Sequence, residues 1–133
     1  MYRFRVDEEL GILYSHSFGN WSVKIAERYV EDLVKNSQAA RQRFGKLRAL
    51  IDSRNVQMPK GEVMRAFEGA VDRLVQSPED RIATIVTSHV WKQQTKRAYS
   101  EMNLCAFLSE NAARSWLMGF APGQSAVPVQ MAG

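Results

Sequence analysis

Residues 47–61 read LRALIDSRNVQMPKG, an apolar run that stops at Asp52-Ser53 and reopens at Met58-Pro59. Leu47-Arg48-Ala49-Leu50-Ile51 has the mainly apolar character of a strand deep inside a sheet. Pro59 suits a first helical position, because its missing N–H would have no partner there. The stretch therefore reads as a strand that passes through a turn into a helix.

The same alternation continues downstream. Val63, Ala66, Phe67, Ala70, Val71 and Leu74 recur at helical spacing and form one apolar stripe. Ser77-Pro78-Glu79-Asp80 turns the chain, and Ile82-Ala83-Thr84-Ile85-Val86-Thr87 is a strand rich in β-branched residues. Ser88 has the side chain to cap a third helix, which carries Trp91, Gln94, Lys96 and Ala98. Leu104 to Leu108 forms a fifth strand. Ser109 then caps a last helix, Glu110 to Met118, which stops at Gly119.

Upstream, Tyr2-Arg3-Phe4-Arg5-Val6 alternates with the period of a half-buried strand. Asp7-Glu8-Glu9 turns the chain into a second strand, Gly11 to Ser15, and the short connection predicts an antiparallel hairpin. Phe18-Gly19-Asn20 breaks the run, with Asn20 as N-cap of a helix from Trp21. Ile25, Ala26, Tyr29, Val30, Leu33 and Val34 supply the apolar face of that helix. Asn36-Ser37 is expected to interrupt it, and Gly45 to stop it.

Strands separated by helices require right-handed crossovers and a parallel sheet, with the first strand antiparallel at one side. The expected architecture is an α/β single-domain sandwich: a mixed, mostly parallel five-stranded sheet with about four helices. It spans residues 1–119. Residues 120–133, FAPGQSAVPVQMAG, show no periodicity and two prolines, and read as a mobile tail.

Composition narrows the function classes. The chain has 133 residues, 45% apolar and 24% charged, as in an ordinary globular domain. The net charge of +4 comes from 18 basic and 14 acidic residues that lie interspersed, so long-range attraction to nucleic acid or anionic membrane is weak. Lys92, Lys96 and Arg97, and Arg41, Arg43, Lys46 and Arg48, form basic groups. Glu79, Asp80 and Glu101 interrupt them, which fits a solvated surface better than a nucleic-acid stripe. Cys105 is a single thiol within LCAFL and reads as a small buried hydrophobe. The opening MYRFRVDEEL is charged where a signal peptide would be apolar, and no apolar run approaches a membrane span. A cytoplasmic location is expected.

The opening hairpin with its Gly19 break, LRALIDSRNV, DRIATIVTS and the closing NLCAFLSENAARSWL resemble the SpoIIAA-like (STAS-like) family. That family is related to STAS domains and to the lipid-binding CRAL-TRIO fold. The resemblance implies regulation or interaction rather than catalysis. It also implies a phosphorylatable serine in an Asp-Ser-Ser-Gly-like motif at the helix after the third strand. Here the matching stretch, Val56-Gln57-Met58-Pro59-Lys60-Gly61, carries no hydroxyl, and Ser53 lies too early.

Ligands of open α/β sheets lie outside the carboxyl ends of the strands. Those ends bring together Asp52, Ser53 and Arg54, Thr87, Ser88 and His89, and Ser109 with Glu110. A Ser, His and Asp in one neighbourhood invites a hydrolase reading, but no Gly-x-Ser-x-Gly elbow is present and the serines serve as helix caps. His16 and His89 have no metal-ligand neighbours at the right spacing, and no phosphate-binding glycine motif occurs; no cofactor is expected. The candidate ligand- or partner-binding residues are Asp52, Ser53, Arg54, Met58, Ser88, His89 and Trp91. Trp21, Trp91 and Trp116 are expected to pack helices onto the sheet.

The leading expectation is a non-enzymatic STAS-like module that binds a protein partner or a second copy of itself. The alternative is a carrier or sensor of a small apolar or lipid-like ligand. An internal cavity of several hundred Å³ separates the two, since ligand sites usually enclose roughly 300–1,000 Å³ and a docking module is solid.

Overall fold

The computed structural model describes residues 1–99 and 102–119; the expected tail at 120–133 lies outside them. Five strands form one sheet: β1 (Tyr2–Asp7), β2 (Ile12–Phe18), β3 (Arg48–Asn55), β4 (Arg81–Ile85) and β5 (Leu104–Phe107). Their spatial order follows the chain, β1-β2-β3-β4-β5. β1 runs antiparallel to β2, and all later pairs are parallel. The α/β class and mixed sheet are as the sequence implies.

Because each crossover advances the sheet in the same direction, right-handedness sends every crossover helix to one face. These are α1 (Val23–Phe44), the short pair α2 (Gly61–Ala66) and α3 (Ala70–Leu74), and α4 (His89–Ala98). Strand alternation sorts the side chains accordingly. Leu13, Ala49, Ile82 and Leu104 meet Tyr29, Val30, Leu33 and Leu74 on the crossover face. Ile12, Leu50, Ala83, Ile85 and Phe107 meet Ala113, Trp116 and Leu117 of α5 (Glu110–Leu117) on the other. Ile82 and Ile85 retain no exposed surface, and each such burial contributes about 1.5–3 kcal/mol.

Local signals act much as expected at the caps. Ser88 and Ser109 accept hydrogen bonds from the N–H groups of Trp91 and Ala112 at 3.2 Å. Gly45, at φ +85°, ends α1 and donates its N–H to the Arg41 carbonyl. Cys105 is buried, as its apolar context implies.

Several expectations are corrected. α1 starts at Val23 with Ser22 as its cap, not Asn20. It also runs unbroken through Asn36-Ser37: Asn36 donates its side-chain amide to the Asp32 carbonyl at 2.8 Å, within helical reach. β2 extends to Phe18, well beyond Ser15. β3 continues through Asp52 and Ser53 to Asn55, so the charged residues end the buried part of the strand but not the strand itself. Pro59 precedes α2 instead of opening it, since the helix begins at Gly61 behind Lys60. The single helix expected over Pro59 to Leu74 is two, divided at Gly69, whose φ of +81° an L side chain rarely adopts. Asp80 is no solvated turn residue; it has no exposed surface.

Candidate functional site

β2 and β3 end with small hydroxyl residues on the crossover face. Ser15, Ser17 and Ser53 are all buried there. Where these strands finish, α1 and α4 begin, and the loop after β3 passes over the gap. A cavity of about 300 Å³ opens at this point, with Ser17 and Ser53 at its strand side and Trp21, Phe67 and Trp91 around it. It lies outside the carboxyl ends of parallel strands, the position expected for a ligand in such a sheet.

A second, mainly apolar pocket of about 160 Å³, itself open to solvent, adjoins it between α3 and α4, against Leu33, Leu74 and Ile82. Ile51, Pro59, Phe67 and Trp91 line both volumes. α2 contributes to each: Val63 faces the outer cavity and Met64 the inner one. No residue of α2 is buried. The short helix rests over the space without filling it.

Aromatic rings frame the outer cavity. Tyr29 lies edge-on to Trp21 with ring centroids 5.0 Å apart, and edge-on to Phe67 at 6.2 Å. Trp21 lies 6.1 Å from Phe67. Such edge-to-face packing holds the rings in fixed orientations. The Tyr29 hydroxyl lies 2.7 Å from Ser15 Oγ, and Ser17 also hydrogen-bonds it. Burial pushes this phenol up to about 12, against the opposing hydrogen bonds, so it stays neutral at ordinary pH.

Of the residues singled out from sequence, Ser53, Met58 and Trp91 line the outer cavity. Asp52 and Arg54 do not, because β3 continues and alternation places them on the opposite face. There Arg54 grips Asp52 in a bidentate pair at 2.8 and 2.9 Å and reaches Glu110 at 3.4 Å. That guanidinium holds the Asp52 carboxyl below its ordinary value, although burial opposes it. Ser88 caps α4, and His89 is exposed at the start of that helix. The Ser, His and Asp are thus spread over a helix cap, a surface position and an ion pair.

Sequence reasoning missed Trp21, Tyr29, Lys60 and Phe67. One legible signal existed: Ser15, Ser17 and Ser53 stand at crossover-face positions where Leu13, Ala49 and Ile51 have apolar side chains. Small polar residues at the C-terminal ends of neighbouring strands leave room that a larger apolar residue would occupy.

The opposite face carries its own cavity of about 380 Å³, about as open as the first, against β1 and β2. Arg5 stacks there on the Tyr14 ring at 3.9 Å, and His16 Nε2 lies 2.8 Å from Asn55 Oδ1. Comparison with family models and with curated proteins finds no match to this chain. Among the described residues no group of His, Cys, Asp and Glu is placed to hold a metal ion, and no helix is long and apolar enough to cross a membrane.

Proposed function

We propose that this protein is a non-enzymatic STAS-like module that carries or senses a small apolar ligand, bound beneath α2. The observation that carries this reading is the pair of adjoining cavities sharing Ile51, Pro59, Phe67 and Trp91. Together they reach the size range of ordinary ligand sites. Both are open to solvent, so an apolar ligand would displace water from their aromatic and aliphatic lining. Ligand entry would also complete the packing of α2, which gives the site a route to signal occupancy through the position of that helix.

The test is binding of an apolar fluorophore such as Nile red, together with native mass spectrometry of the purified chain. Ile51→Phe, which fills both volumes at their junction, should abolish binding while leaving the melting temperature unchanged or higher. Failure of the wild-type chain to take up either the dye or a co-purified molecule would remove the proposal.

Self-association is supported as a second reading by the other edge of the sheet. β5 pairs only with β4 among the described residues, and Met102 and Leu108, just beyond its two ends, are 65% and 40% exposed. β5 itself is buried along its length, so a second copy would meet these flanking apolar side chains and not the backbone edge of the strand. Sedimentation should then show a dimer that Leu108→Asp dissociates; a monomer at all concentrations would exclude it.

A further inference from the structure

We propose that the ligand is a monocarboxylic acid, its carboxylate held at the cavity mouth by Ser53 and Lys60 and its apolar body running inward between α3 and α4. This rests on the reading of the cavity as a ligand site. Ser53 is about nine-tenths buried and lines the outer cavity. Its hydroxyl makes no hydrogen bond to a described residue, whereas Ser15 and Ser17 are both engaged by Tyr29. Ser37 Oγ is sealed from solvent without a partner, whereas Ser53 Oγ stays accessible from the cavity and is free to donate to a polar ligand atom there.

The charge at that end is also defined. Lys60 is the charged residue among those lining the outer cavity; it is exposed at the rim, from where its flexible side chain can reach a ligand head group, and no ion pair to a described residue holds it elsewhere. No carboxylate lines that cavity. A cationic head, which aromatic rings alone would attract, would therefore meet an ammonium with no acid to offset it. The inner end is the reverse, walled by Leu33, Val71, Leu74 and Ile82. One anionic, hydrogen-bond-accepting end and one apolar end describe a carboxylic acid with a short hydrocarbon body. A carboxylate accepts from both a hydroxyl and an ammonium, and such charge-assisted bonds are the stronger kind.

Titration calorimetry of the full chain with decanoate, 1-decanol and decyltrimethylammonium, each below its aggregation threshold, tests the head group at constant tail. Decanoate should bind about tenfold or more tightly than decanol, the margin of a charge-assisted hydrogen bond. The ammonium compound should bind least. Ser53→Ala and Lys60→Met should each bring decanoate down towards decanol without weakening decanol, with circular dichroism reporting an intact fold. Equal affinity for decanoate and decanol would overturn the carboxylate assignment while leaving an apolar-ligand module standing. Absence of binding by all three would overturn both.

Discussion

The Asp80 carboxylate, with no exposed surface, receives two hydrogen bonds from the Arg41 guanidinium, at 3.0 and 3.3 Å. The same carboxylate accepts from the backbone N–H groups of Leu47, Gln76 and Ser77 at 2.9, 2.9 and 3.2 Å. Arg41 also donates to the Leu74 carbonyl. One acid thus ties the end of α1, the entry to β3, the exit of α3 and the turn before β4 at a single point. Asp80→Ala would orphan the three N–H groups and a largely buried guanidinium. It should cost about 3–5 kcal/mol, read as a lowered denaturant midpoint.

The pH dependence follows from the same contacts. Burial alone would raise the Asp80 carboxyl, but the Leu47 and Gln76 N–H groups and Arg41 outweigh it and hold it below its ordinary value. The unfolded chain therefore takes up the proton first as pH falls, and stability decreases with it. This contribution is complete above the unfolded value of about 4 and is lost as pH drops through the lower folded one. Asp80→Asn should show a shallower decline in denaturant midpoint between neutral and acid pH than the wild type. An identical slope would refute the assignment.

Sequence reading succeeded where the physics is local. Ser88, Ser109 and Gly45 cap helices through contacts within a few residues, and the alternation of Tyr2, Arg3, Phe4 and Arg5 sorts side chains to two faces without reference to anything distant. It failed where tertiary contact decides. Asp80 has the residue type of an exposed turn, and only Arg41 and the N–H groups assembled around it make burial tolerable. Asp52 and Arg54 look like the end of a strand, yet β3 carries them past the part of this face that α5 covers at Leu50, and the ion pair between them, extended to Glu110, keeps their charges partnered within it. The cavity was least legible, since Trp21, Phe67 and Trp91 come from three separate segments.

Ser37 presents the opposite case to Asp80. It is buried within α1, and its Oγ has no hydrogen-bond partner among the described residues. Removing an unsatisfied buried hydroxyl relieves its desolvation penalty, and alanine is the better helix former. Ser37→Ala should therefore stabilise the protein, by about 0.5–1.5 kcal/mol. Ser15→Ala, which deprives the Tyr29 hydroxyl of a 2.7 Å partner, should destabilise by about as much. Thermal melts of the two variants should move in opposite directions.

At Gly69 the left-handed backbone divides α2 from α3, although a Cβ there would meet nothing within 4 Å. The cost of substitution is thus conformational and not steric. Gly69→Ala should destabilise by about 1–2 kcal/mol. Gly69→Asn should recover part of that loss, since asparagine tolerates the left-handed region better. Equal melting temperatures for the alanine and asparagine variants would mean that the backbone angle is not what matters at this junction.

The placement of the three tryptophans supplies a spectroscopic check on where the ligand sits. Trp21 and Trp91 line the outer cavity on the crossover face. Trp116 packs beneath α5 on the opposite face, 5.7 Å from Phe107, with the sheet between it and the cavity. A ligand in the cavity displaces water from the first two rings and leaves the third untouched. Trp116→Phe should therefore preserve the whole change in emission on decanoate addition. Trp21→Phe and Trp91→Phe should each remove part of it, with the Trp91 variant also weakening binding because its ring borders both volumes. A response carried by Trp116 would place the ligand on the other side of the sheet, beside α5, and the cavity under α2 would lose its claim.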